Sequence, residues 1–195
     1  MNKDSSVNTK IVEQVIFVLK RIVSKETIII VRSTVSIGFC DKHDVYFMPE
    51  FLTEKNAELD FINTKTWILG KPKTSTKEER KLIENIINYA YTSGKIKNQP
   101  MEWLDNSEAE MVKYFRNTFL STKVSFCNEI YRFCQKMNIN YNMVQRVATL
   151  DERIGSSHTR CLVMMVNLGL EELVFQRILE VFSINLVIII FHRLY

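Results

Sequence analysis

The chain of 195 residues is poor in glycine, and its five glycines, Gly38, Gly70, Gly94, Gly155 and Gly169, are scattered. No two stand close enough to form a G-x-G-x-x-G dinucleotide turn or a Walker A loop, which excludes both phosphate cradles from this sequence. Cysteine is scarce too. Cys40, Cys127, Cys134 and Cys161 form no C-x-x-C pair, and Cys127 and Cys134 share a helical face that keeps their sulfurs from bridging. Cys40, Cys127 and Cys134 read as small core residues. With three scattered histidines, His43, His158 and His192, no zinc spacing emerges and no metal is expected. Charge of one sign is nearly absent as a net quantity: 26 Lys and Arg against 22 Asp and Glu leave +4, without blocks. That balance predicts neither nucleic acid nor membrane as a partner. Long hydrophobic runs are missing as well. The longest, Leu186 to Phe191, is far too short to span a bilayer. The first apolar stretch is broken by Glu13, Gln14, Lys20 and Arg21, so no signal peptide is expected and the expected compartment is cytoplasmic.

What is present is the pattern of a folded chain, 46% hydrophobic and 25% charged. Ile11, Val12, Val15, Ile16, Leu19, Ile22 and Val23 repeat at helical spacing and predict a helix over 8–23. The β-branched run Thr27 to Val31 predicts a strand buried on both faces, followed by a loop to Gly38. Val45 to Met48 and Thr66 to Leu69 predict further strands, with a short helical segment over 51–60 between them. Ser75 with Glu78 predicts a capping box for a helix reaching about Tyr91, and Met101 to Leu104 a short strand. Ser107 with Glu110 predicts a second box. From there Met111, Phe115, Phe119, Phe126, Ile130, Phe133 and Met137 mark a single helix of about 30 residues, roughly 45 Å long. Tyr141 to Leu150 forms a shorter helix, before a polar turn at Asp151 to Gly155. Helices alternating with buried strands predict an α/β fold with a parallel sheet.

Three groups could carry chemistry. Glu50 and Glu54 follow a strand end, where α/β sheets gather their sites, and could act as a base and a positioning group. The alternative is a solvated helix start, and spacing alone favours it. Glu110, Lys113 and Asn117 form one stripe on the long helix, where a lysine and an asparagine one turn apart suit a developing oxyanion. Again the plain alternative, a solvated face with a Glu–Lys pair, is favoured by spacing alone. Thr34 lies in the loop after the buried strand, either in a functional loop or in a simple turn.

Taken in order, Val31 to Gly38, Pro49-Glu50-Phe51-Leu52-Thr53-Glu54, Ala57 to Phe61, Ser107 to Asn117 with Phe119 to Lys123, Phe126 to Glu129 and Asp151 to Gly155 resemble the UDP-glucose/GDP-mannose dehydrogenase family. The resemblance covers residues 8–157. It implies a partial Rossmann-like domain over 1–105, lacking its first βαβ unit, and a central helical substrate and dimerisation segment over 106–160. It implies an NAD-dependent oxidation of a nucleotide sugar, UDP-glucose or GDP-mannose, in which the primary alcohol becomes an acid in two steps through a cysteine thiol. On that resemblance Glu54 is the general base or hydrolysis helper, and Thr34 and Glu50 hold the neighbouring water network. Thr34 and Glu54 also border the cofactor. Lys113 and Asn117 bind substrate and stabilise the oxyanion, while Phe51, Leu52 and Thr53 line the substrate phosphates. Thr53 stands where the family's motif usually has arginine. Arg153 reaches the sugar nucleotide of a neighbouring subunit, and the 106–137 helix forms a homodimer core.

Beyond Arg160 the resemblance stops. Composition there reads as a helix followed by a strand. Yet codons can be chosen for Cys161 to Leu179 that, read one base out of register, spell VPGHDGKFGFGGTCFPKDI, the family's next motif with its thiol. Residues 161–195 are therefore expected to be out-of-frame translation. Without glycine turn or thiol, this polypeptide alone is expected to be inactive. A non-catalytic dimerising or binding remnant, or one half of a split enzyme, are the alternatives.

Overall fold

A computed structural model describes residues 9–52, 56–160 and 188–191. The chain divides into two compact units, one built from 1–113 with 182–195 and the other from 114–181.

In the first unit, α1 (Lys10–Ile22) leads into β1 (Ile28–Val31), α2 (Phe39–Lys42), β2 (Tyr46–Phe47), α3 (Ala57–Ile62), β3 (Trp67–Lys71), α4 (Lys77–Thr92) and β4 (Met101–Asp105). The sheet order is β4-β3-β2-β1-β5, where β5 is Ile188–Phe191. The α/β class is as expected, and the sheet is mixed in detail. β1 runs parallel to β2 and β3 to β4, but β3 runs against β2 and β5 against β1.

All four residues of β1 are buried, and alternation sorts them onto two faces. Ile29 and Val31 join Val12 and Ile16 of α1, Phe47 and Ala109 on one side. Ile28 and Ile30 join Trp67, Leu69, and Ile83 and Ile87 of α4 on the other. A continuous apolar run is what a strand covered by helices on both faces requires.

Helix starts differ from the sequence reading in an instructive way. The capping box of α4 is Thr76 with Glu79, not Ser75 with Glu78: Glu79 N–H donates to the Thr76 hydroxyl at 3.2 Å, and Thr76 N–H to Glu79 Oε2 at 2.8 Å. The Ser75 hydroxyl is engaged elsewhere, accepting from Tyr46 at 2.8 Å. The short helical segment expected over 51–60 forms later, as α3, and residues 53–55 are outside the described set.

The long helix α5 (Asn106–Lys136) has 31 residues, as its unbroken pattern predicts. Its entry is fixed by Asn106, which is fully buried and donates to Val45 O and Asp41 Oδ1, each at 3.0 Å. Gly70 of β3 makes room for it: a Cβ there would stand 2.8 Å from Asn106 Oδ1 and 3.1 Å from the Phe47 Cβ. Glu108, not Glu110, reaches back at this start, accepting from Asp105 N–H at 2.9 Å.

In the second unit, α6 (Tyr141–Ala148) begins at Asn140, whose side chain caps Asn142 N–H at 3.0 Å. Tyr141 packs with Cys127 and Cys134 in a small core. Cys40, Cys127 and Cys134 are all buried, as the sequence reading has them. The expected out-of-frame tail, 161–195, lies outside the described residues except for β5.

Candidate active site

The C-terminal end of β1 delivers Arg32 and Ser33, then Thr34 in the loop to α2. The end of β2 delivers Met48, Pro49 and Glu50 beside it, because the two strands are parallel and in register, Val31 opposite Phe47. Arg32 Nε stands 3.0 Å from Glu50 Oε1, with the two side chains only 9% and 12% exposed. The pairing is ionic, for Nε makes no aligned hydrogen bond. Glu50 is therefore not the solvated carboxylate that spacing alone favoured. The Arg32 guanidinium also lies over the Phe61 ring, 5.2 Å from its centroid.

The opening of α5 brings Lys113 to the same residue from another side. Its ammonium donates to the Glu50 carbonyl oxygen and sits over the Phe51 ring, 5.1 Å from the centroid. Burial pulls the Lys113 ammonium down to about 8. The Glu50 carboxylate opposes that fall and the Arg32 charge adds to it. An amine so placed can present a proton, or take one, near neutral pH.

Glu110, one turn before Lys113, is fully buried, which corrects the solvated-stripe reading. Its carboxylate accepts from Gly38 N–H at 2.5 Å and Cys40 N–H at 2.8 Å, satisfying amides at the start of α2. Burial nevertheless pushes its pKa up. This contact ties the loop carrying Thr34 to the helix carrying Lys113.

Glu50, Phe51 and Lys113 are thus brought together. Leu52 lines a neighbouring cavity of about 20 Å³ with Arg32, Glu50, Phe51 and Phe61. Thr34 is partly buried at the same strand end. Thr53 and Glu54 are outside the described residues. Asn117 and Arg153 belong to the second unit. There, Arg153 is exposed and pairs with Asp151, Nε to Oδ1 at 2.9 Å. Lys123 holds the same turn by donating to Ile154 O at 2.7 Å and Gly155 O at 3.2 Å. Sequence reasoning missed Arg32 and Phe61. The available signal for Arg32 was a charge placed directly after a wholly buried strand.

The described cavity at these strand ends does not hold a dinucleotide; a larger one of about 250 Å³ lies at the opposite ends of β1 and β2, lined by Thr27, Ile28, Asp44 and Tyr46. The smaller cavity has room for about one water, whereas ligand pockets run to several hundred Å³. Among the described residues no cluster of three or more metal-ligating side chains forms, and no helix is long and apolar enough to cross a membrane.

Comparison with known proteins gives a consistent result. Residues 107–164 match the model of the UDP-glucose/GDP-mannose dehydrogenase family, central domain. The UDP-glucose 6-dehydrogenase of Campylobacter jejuni is 33% identical over 156 residues, covering 76% of this chain and 37% of that protein. An uncharacterized protein of Methanocaldococcus jannaschii is 30% identical over 166 residues, 80% of this chain and 18% of its own length. The chain thus spans well under half of these relatives. In fold it is similar to GDP-mannose dehydrogenase from Pseudomonas aeruginosa, with a TM-score of 0.64 at 22% identity, over 93% of this chain and 48% of that one.

Proposed function

From a chain related to the UDP-glucose/GDP-mannose dehydrogenase family, we propose that it carries the substrate-handling side of a nucleotide-sugar 6-dehydrogenase site. The observation that carries this reading is the Lys113 ammonium, drawn down to about 8 and held on the Glu50 carbonyl at the strand ends. Lys113, with Asn117 one turn on, stabilises negative charge developing on the sugar oxygen. Glu54 serves as the general base. The Glu50 carboxylate, already matched by Arg32, positions water together with Thr34 rather than abstracting a proton. Phe51, Leu52 and Thr53 run along the substrate phosphates, and Arg153 serves a neighbouring subunit's site.

The resemblance names NAD as oxidant. No G-x-G-x-x-G turn stands in this sequence to hold its pyrophosphate. In this reading the polypeptide alone forms no NADH from UDP-glucose or GDP-mannose. The test is that assay, with Lys113→Ala as background: a rate above the variant's refutes inactivity, and an active site that ignores Lys113→Ala refutes the role of Lys113. Residues 161–195 are read as out-of-frame translation on the strength of the shifted motif that their codons permit. Sequencing the gene tests this, since codons incompatible with the shifted motif remove the idea.

A second reading, a dimerising remnant, is favoured by one observation. Within the second unit, Phe115, Phe119, Phe126 and Phe133 of α5 are 59% to 69% exposed. A stripe of that kind calls for a covering partner, and a second copy of the helix supplies one.

A further inference from the structure

Arg32 belongs to no motif role assigned above, yet it is a buried cation with two specific contacts. Its guanidinium meets the Glu50 carboxylate, while the Lys113 ammonium meets the carbonyl of that same residue. Each cation is backed by an aromatic ring, Phe61 behind Arg32 and Phe51 behind Lys113. Phe61 is itself fixed edge-on against Trp67, with centroids 5.1 Å apart. Glu50 is thereby gripped at both ends, and the segment after β2 has little freedom to carry its carbonyl away from Lys113.

We propose that Arg32 is a positioning residue for Lys113, acting through Glu50: by holding the Glu50 side chain it sets where the carbonyl that receives the Lys113 ammonium stands, and it fixes the charge that the ammonium faces. This rests on the reading of Lys113 as the group that matters at the site. It does not rest on any turnover by this chain.

The charges around Lys113 make the consequence readable. Glu50 favours the protonated amine, Arg32 disfavours it, and burial disfavours it most. On α5, Glu110 is directed at the Gly38 and Cys40 amides instead. Loss of Arg32 removes a repelling cation and leaves the Glu50 carboxylate free to turn toward the ammonium. Both effects raise the proton affinity of Lys113.

The experiment is competitive labelling of Lys113 with trace acetic anhydride across pH 6 to 11, read by mass spectrometry on the full chain. Arg32→Met is expected to raise the Lys113 midpoint by about one pH unit. Arg32→Lys keeps the charge and is expected to return the midpoint to within a few tenths of the wild-type value. An unchanged midpoint in Arg32→Met, or equal shifts in both variants, overturns the proposal. Should Arg32→Met fail to fold, pairing it with Glu50→Gln removes both buried charges together. Lys113 then keeps its burial without the larger, opposing influence of Glu50, and its midpoint falls below wild type. A midpoint equal to wild type in that double variant overturns the proposal as well. Because labelling reads a proton equilibrium, NADH formation that ignores Lys113→Ala alongside an intact shift rejects the functional reading and leaves this one standing.

Discussion

Lys113 offers a direct measure of what the buried site costs the fold. Its ammonium titrates at 10.5 in an unfolded chain and at about 8 in the folded one. Below pH 8 both states are charged, and the folded state bears the full burden of holding a cation away from water. Between pH 8 and 10.5 the unfolded chain binds the extra proton, so stability rises with pH across that window. A fall of this size corresponds to about 3 kcal/mol. Lys113→Met keeps the length and apolar stem and removes the titration. Other groups titrate in alkali too, including Tyr46, whose phenol burial pushes up beyond the window. They are common to both proteins and cancel in the difference. Urea denaturation at pH 7, 8, 9 and 10 is therefore expected to show wild type gaining on the variant by about 2 to 3 kcal/mol from the lowest pH to the highest. Two parallel stability curves would refute the reasoning, for they would mean that Lys113 is solvated.

The remaining predictions concern packing and assembly. Gly70→Ala forces a methyl against Asn106 Oδ1 and Phe47, and is expected to cost about 2 to 4 kcal/mol through overpacking and the loosened Asn106 bonds, measured as a lower urea midpoint. Glu110→Ala leaves the Gly38 and Cys40 amides without their acceptor, at an expected cost of about 2 to 4 kcal/mol at pH 7. Because burial raises the Glu110 pKa, the wild-type contribution is larger near pH 4 and shrinks as pH rises through its titration, so the cost of the variant is greater in mild acid. Phe119→Glu, on the exposed stripe, is expected to shift sedimentation toward monomer with little change in thermal midpoint; a wild-type chain that is already monomeric removes the dimer reading.

Much of the fold was legible because it depends on local pattern. Four consecutive β-branched residues, Ile28 to Val31, can be satisfied only by burial on two faces. A helix of 31 residues follows from a stretch without glycine or proline. The α4 capping box was displaced by one residue because Ser75, Thr76, Glu78 and Glu79 offer two registers. The choice is made by Tyr46, 29 positions away from Ser75, which claims that hydroxyl. The same physics explains the site. Glu50, Lys113 and Glu110 could be picked out as residues, but spacing alone favoured solvated roles for them. What reverses that reading is distance in sequence: Lys113 meets Glu50 across 63 positions and Glu110 meets Gly38 across 72. No window along the chain contains both partners.

The two contacts made by α5 act on different parts of one strand-end region, and that division has a chemical sense. Glu110 supplies a negative charge to amides at the start of α2 and so fixes the loop that follows β1. Lys113 supplies a positive charge to a carbonyl after β2. Since β1 and β2 are parallel neighbours, a single turn of one helix clamps both strand ends with opposite charges. Exchanging either residue for the other would leave a donor facing donors or an acceptor facing an acceptor. The order Glu then Lys along this turn is thus set by the polarity of the backbone groups it meets, independently of any ligand. Glu110 spends its carboxylate entirely on that clamp. Lys113 has further donor hydrogens beyond the one directed at Glu50, and this asymmetry makes the lysine, not the glutamate, the member of the pair able to serve a substrate oxygen.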